Sequence, residues 1–302
     1  MNKMVSEEGK IDVDGYNVWY RKVGSGSTPL LVLHGGPGAG HDYLEPFEAL
    51  AWDRSVVFYD QLGCGNSDRS EDASLWRIER FVTEINRVRS VLGLDRVHLL
   101  GHSWGGWLAI EYMLMQPAGL CSLILASTSA TVQQFVAEAS KLKAALPPAV
   151  VKVMQKHEEA HTFDHPEYET AVLEFYERHL CRLHPWPESL MRSVRNLEGN
   201  PVYAAMNGPN EFTVTGNLKN WDRAERLHEI SVATLITVGR FDEITPVCAE
   251  TLHRGIPNSE MVVFEQSSHM AHLEEAEVYV KTVAGFLKRV EKSVRQASST
   301  SP

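Results

Sequence analysis

The chain has 302 residues, of which 43% are apolar and 23% charged, enough length and apolar content for one large core. Its 29 basic and 39 acidic residues leave a net charge of −10, which argues against nucleic acid or an anionic membrane surface as a partner. No run of about 18 apolar residues is present, and the polar start MNKMVSEEGKIDVDG lacks the apolar stretch of a secretory signal, so neither a membrane span nor export is expected.

In chain order, KIDVDGYNVWYRKVG alternates around an Asp-Gly pair and predicts a hairpin. PLLVLHG and SVVFYDQ are short, continuously apolar runs that suit buried parallel strands. Between them HDYLEPFEALAWD predicts a helix. A stronger helix follows over LWRIERFVTEINRVRSVLGL, ending near Gly93. RVHLL and CSLILAS are two more buried strands, with a helix between them that starts after Ser103. This alternation implies a parallel sheet with right-handed crossovers. From Thr128 to about Arg226 the pattern turns helical. Strands resume at ATLITVG and EMVVFEQ, and AEVYVKTVAGFLKRVEKSV closes the chain as a helix. The expectation is one α/β core, residues 1–127 and 228–290, interrupted by a helical cap over 128–227, with a polar disordered tail at 291–302. The four cysteines, Cys64, Cys121, Cys181 and Cys248, lack metal or disulfide-scaffold spacing and read as free thiols in a reducing cytoplasm.

At the bend before the second crossover helix, Gly101-His102-Ser103-Trp104-Gly105 fits G-x-S-x-G, the nucleophile elbow of α/β-hydrolases. Composition alone yields this pattern in roughly one chain in ten of such length. The weight therefore lies on its position between a buried strand and a helix. A serine hydroxyl needs a base to take its proton, and in this fold the partners follow in the order Ser, acid, His. Asp242 lies just past the strand ATLITVG, and His269 just past EMVVFEQ, so Ser103, Asp242 and His269 form the expected catalytic set. Glu243 as acid and His272 as base remain alternatives. The oxyanion of the tetrahedral intermediate needs backbone donors. Trp104 supplies one amide, and the loop HGGPGAG the second, from Gly36 or alternatively Gly35. That loop lacks both P-loop and dinucleotide spacing, so no cofactor is expected.

One competing motif, HEEAH from His157 to His161, satisfies H-E-x-x-H. The metzincin spacing is absent, although His165 follows four residues on. It reads as a solvated face of a cap helix, with no metal.

Taken together, HGGPGAGHDYL, FYDQLGCGNSD, GHSWGG, MNGPNEF, GRFDEITP and SSHMAHLEE resemble the proline iminopeptidases, closest to the branch of tricorn-associated aminopeptidases and L-amino-acid amidases. The likeness runs from about Tyr16 to Leu287. It implies an α/β-hydrolase fold, with a mostly parallel central sheet flanked by helices and a helical cap, and a serine aminopeptidase that releases one residue from small peptides, amides or arylamides. It also implies that two glutamates, Glu211 and Glu243 here, bind the substrate's free ammonium, with Tyr203 and Gly35 in the same pocket. EFYERHLCRLHPWP resembles the broader-specificity branch. The aromatic candidates of the cap are Tyr168, Phe175, Tyr176, Trp186 and Trp221, none of which the sequence places. Cys64, in the GCG turn, reads as structural.

Overall fold

The structure is a computed structural model that describes residues 5–299. Eight strands form one sheet: β1 (Ser6–Val13), β2 (Tyr16–Val23), β3 (Ser27–Leu33), β4 (Arg54–Tyr59), β5 (Val97–His102), β6 (Leu120–Ala126), β7 (Thr234–Gly239) and β8 (Ser259–Phe264). Their order is β1-β2-β4-β3-β5-β6-β7-β8. The first two pairings, β1 with β2 and β2 with β4, are antiparallel and the rest parallel. Asp14 and Gly15 join β1 to β2 with φ of 54° and 86°, the two positive values that a tight hairpin turn requires. β4, β5 and β7 are buried at every residue, as strands covered on both faces must be.

Within β3 the period of two sends Leu31 and Leu33 to one face and Leu30 and Val32 to the other. The first face packs on α1 (Ile78–Val91) and α2 (Trp104–Leu114), through Phe81, Ile85, Trp107 and Leu108. The second face packs on Phe47 and on Tyr279, Val283 and Phe286 of the final helix. Each such side chain, once buried, contributes about 1.5–3 kcal/mol, so the sheet is locked from both sides.

Between β6 and β7 run α3 (Val132–Ala144), α4 (Pro148–Ala160), α5 (Pro166–His179), α6 (Glu188–Leu197) and α7 (Pro201–Met206). The two ends of this segment meet: the amide of Val132 donates to the Trp221 carbonyl at 3.0 Å, and that of Arg223 to the Ala130 carbonyl at 2.9 Å. After β7 come α8 (Pro246–Gly255), α9 (Ala271–Glu274) and α10 (Ala276–Ser299). No helix among the described residues is long and apolar enough to cross a membrane.

Two elements differ from the sequence expectation. The segment Asp42–Leu50 is a 3-10 helix rather than an α-helix; Pro46, at its centre, has no N–H to donate. The last helix runs past the expected Val294 to Ser299, through residues expected to form a disordered tail from 291. Glu291 anchors the extension by accepting from Arg54 Nη1 at 2.9 Å. Residues 300–302 of the expected tail lie outside the described residues.

Candidate active site

The bend after β5 explains its own sequence. Ser103 has φ 57° and ψ −124°, a conformation that non-glycine residues adopt only when the surroundings impose it. A Cβ on Gly101 would lie 2.2 Å from the Gly105 carbonyl oxygen, and one on Gly105 would lie 2.2 Å from that of Leu33. Strand, bend and helix therefore approach too closely for any side chain at either glycine. The N-terminus of α2 points its free amides at Ser103, which favours developing negative charge there.

His269 and Asp242 are joined through His269 Nδ1 and Asp242 Oδ1 at 2.7 Å, both residues buried. The same Oδ1 accepts from the Ile244 amide at 2.8 Å, which fixes the carboxylate. With Nδ1–H donating to Asp242, the Nε2 of His269 is left for the cavity that Ser103 also lines. Burial alone would lower the imidazole pKa, but Asp242, Glu243 and Glu211 outweigh it and carry it up to about 9. His272 faces elsewhere: its Nε2 donates to the Tyr43 carbonyl at 3.0 Å, and burial lowers its pKa to about 3. It does not line the cavity among the described residues.

The glycine loop is tied to this machinery by residues that sequence reasoning did not single out. The Gly35 amide donates to Tyr43 Oη at 2.8 Å, so it is already engaged, whereas those of Gly36 and Trp104 have no partner among the described residues. Tyr43 Oη in turn donates to His102 Nδ1 at 2.9 Å, and His102 Nε2 donates to the His269 carbonyl at 3.0 Å. The oxyanion loop and the imidazole are thus connected through one buried chain. A second chain runs from His34 to Gln61, whose amide donates to His34 Nε2 at 3.0 Å, and on to the Trp104 indole, which donates to Gln61 Oε1 at 2.8 Å. Asp60 accepts from the His41 amide at 2.8 Å and from the Asn66 amide at 2.9 Å. HGGPGAGHDYL and YDQLGCG are therefore two halves of one network. The signal for Tyr43, His34 and Gln61 was their place inside those stretches. Cys64 is buried there, and burial pushes its thiol pKa well up, which makes it inert. All four cysteines are free.

A cavity of about 440 Å³ opens at the carboxyl ends of the strands, lined by Ser103, His269, Gly35, Gly36, Glu211 and Glu243. Tyr203 lines it too, and its hydroxyl donates to Glu211 Oε1 at 2.6 Å; that of Tyr176 donates to Oε2. Burial and then the neighbouring Glu211 raise both phenols well above their usual pKa, so they stay neutral donors. Glu243 is buried, with Oε1 3.8 Å from His269 Nε2 and Oε2 unpartnered. Of the aromatic candidates, Tyr168, Tyr176 and Trp186 line the cavity. Phe175 packs on Phe212, and Trp221 stacks on Trp107 at 5.3 Å.

The H-E-x-x-H pair does not share a helix face. α4 ends at Ala160, and His161 is its left-handed cap, turned toward Phe163. His157 is buried rather than solvated, and comes near His165 and Glu167 instead, their ligand atoms lying within 4.8 Å of one another. Glu167 there accepts from Lys156 Nζ at 2.7 Å and from His157 Nε2 at 3.1 Å.

A cavity-lining serine on a strained strand-to-helix bend, beside a buried Asp-His pair, defines a serine hydrolase of the α/β-hydrolase class. Residues 28–276 match the family described as alpha/beta hydrolase fold. The chain is 41% identical over 288 residues to a proline iminopeptidase of Saccharolobus solfataricus, covering 94% of this chain and 93% of the relative. It is 42% identical over 285 residues to one of Heyndrickxia coagulans, covering 94% and 99%. The crystal structure of a proline iminopeptidase from Mycobacterium smegmatis superposes with a TM-score of 0.90 at 38% identity, over 95% of this chain and all of that one. The chain belongs to the proline iminopeptidase family.

Proposed function

We propose that this enzyme removes one N-terminal residue from short peptides, amino-acid amides or arylamides through an acyl-enzyme, acting in the cytoplasm. Ser103 Oγ attacks the carbonyl while His269 Nε2 takes its proton and then passes it to the leaving amine. Asp242 holds the tautomer and offsets the imidazolium charge. The amides of Trp104 and Gly36 stabilise the oxyanion. Water, deprotonated by His269, then releases the acid.

The observation that carries the reading is the placement of Glu211 and Glu243 in the cavity that holds Ser103 and His269. An ammonium leaving water needs anionic acceptors, and a blocked amine would leave buried carboxylates unpaired. Tyr203 and Tyr176 aim Glu211 at that position. The names of the relatives point the same way. A cavity of about 440 Å³, bounded by Tyr168, Tyr176 and Trp186, suits a proline ring and has room for larger side chains, so we assign a first subsite wider than proline. The same spare volume favours a second reading, an amidase or esterase acting on a small metabolite through the same serine.

The test is a matched pair of substrates, an aminoacyl arylamide and its N-acetyl form. Cleavage of the free amine alone is expected, and equal cleavage of both defeats the ammonium site. Ser103→Ala abolishes turnover and labelling by a fluorophosphonate; persistence of either removes Ser103 from its role.

A further inference from the structure

The Glu243 carboxylate stands on the wrong side of the imidazole to be a mere support. Asp242 already serves Nδ1, at 2.7 Å, while Glu243 Oε1 lies 3.8 Å from Nε2, the nitrogen that must receive the Ser103 proton. Glu243 Oε2 has no hydrogen-bond partner among the described residues, and the glutamate is only 3% exposed. Three carboxylates thus act on one buried ring: Asp242 and Glu243 from the loop after β7, and Glu211 from the segment before it. The other titratable groups at hand are His102 from β5, with its ring centre 4.8 Å from that of His269, His272 from α9, His179 at the end of α5, and the phenols of Tyr43, Tyr176 and Tyr203. Burial lowers the pKa of each of those three histidines, so they add no positive charge. No lysine or arginine lines the cavity among the described residues. In the free enzyme the available countercharge is a proton.

Resting on the ammonium-site reading above, we propose that docking of the substrate's α-ammonium against Glu243 expels a proton held by the Glu243–His269 pair, so that recognition of the amino group is what frees the catalytic base. The balance is simple. Free enzyme carrying one shared proton meets an ammonium ion, the ammonium takes the place of that proton, and the proton leaves to solvent. His269 Nε2, now unprotonated, accepts the Ser103 hydroxyl proton as Oγ bonds to the carbonyl carbon. The directions of titration agree: burial and the nearby Glu211 raise the Glu243 carboxyl well above its usual range, and the imidazole lies at about 9 despite its burial. At pH 7 the free enzyme therefore rests mainly with that proton in place. An amine-free substrate would meet that resting enzyme; an amine-bearing one would switch it on. Selectivity for a free amino end would then reside in turnover as well as in binding.

The experiment is titration calorimetry with alaninol, an α-ammonium with no carbonyl to acylate, at pH 7 in buffers of different ionisation enthalpy. Wild type is expected to release about one proton per alaninol bound, and Glu243→Gln none. Binding by wild type without proton release, or equal release by the variant, overturns the proposal. Failure of wild type to bind alaninol at all instead defeats the ammonium site itself, and this inference with it. Should only the variant fail to bind, the downfield proton resonance of His269 Nδ1–H in wild type decides. Alaninol should lower the pH at which the imidazolium form titrates, and an unmoved titration overturns the proposal.

Discussion

Tyr203→Phe tests the amine-binding role proposed for Glu211 without touching the proposed Ser103, Asp242 and His269 set. The phenol donates to Glu211 Oε1 at 2.6 Å, and deleting it removes one hydrogen bond to that side chain while Tyr176 keeps the other oxygen. Hydrogen bonds to charged groups contribute about 1.5–3 kcal/mol each, and about 1.4 kcal/mol is a factor of ten. A fall in kcat/KM of about 10–100-fold is therefore expected for aminoacyl arylamides, carried mainly by KM because the ammonium is bound in ground and transition states alike. Adding Tyr176→Phe should deepen the loss. The control substrate is an acyl ester with the same side chain and no amino group, which gains nothing from Glu211 and should be hydrolysed at the wild-type rate. Equal losses on both substrates would mean that Tyr203 shapes the cavity in general and does not act through Glu211.

Asp242→Asn should lower kcat by about 10⁴-fold, the loss seen when a triad carboxylate is replaced by an amide. Removing its charge also lowers the imidazole pKa; because activity disappears as pH falls through that pKa, the acid limb of kcat/KM should move to lower pH, and an unmoved limb would contradict Asp242 as the partner of Nδ1. Gly105→Ala places a methyl 2.2 Å from the Leu33 carbonyl oxygen; a large drop in melting temperature together with lost fluorophosphonate labelling is expected, and a stable, active variant would refute the steric account of the bend. His102→Phe leaves the Tyr43 hydroxyl without its acceptor and the His269 carbonyl without its donor, costing about 1–3 kcal/mol of stability in a denaturant titration. Exhaustive chelation should leave turnover unchanged, whereas a tenfold loss restored by zinc would give the His157, His165 and Glu167 group a role in the reaction.

Much of the fold was legible because its signals are local. Continuous apolar runs can be buried only as covered strands, and two glycines around Ser103 tell of a bend too tight for side chains. What escaped were properties set by partners distant in the chain. The helix at 42–50 has a helical pattern, but the Pro46 ring would meet the carbonyl four residues back in an α-helix, which disfavours that type. Residues from 291 read as a disordered tail because nothing nearby in sequence announces that Glu291 meets Arg54. Tyr176 donates to Glu211 across 35 positions, so no spacing rule could have paired them. The buried chain from Gly35 and Tyr43 through His102 to His269 joins three separate pieces of sequence, each ordinary when read alone.

The helical segment leaves the sheet and returns to it through adjacent backbone bonds, Val132 to Trp221 and Arg223 to Ala130. Ser103, Asp242 and His269 lie outside that gate, while Glu211, Tyr176 and Tyr203 lie inside it. On the proposed roles, the chemistry and half of the recognition belong to separable stretches of chain. A graft exchanged at these two anchor points would keep the bond-breaking apparatus, with Glu243 beside it, and bring a new wall for the substrate, so kinship in this family can be close while diets diverge.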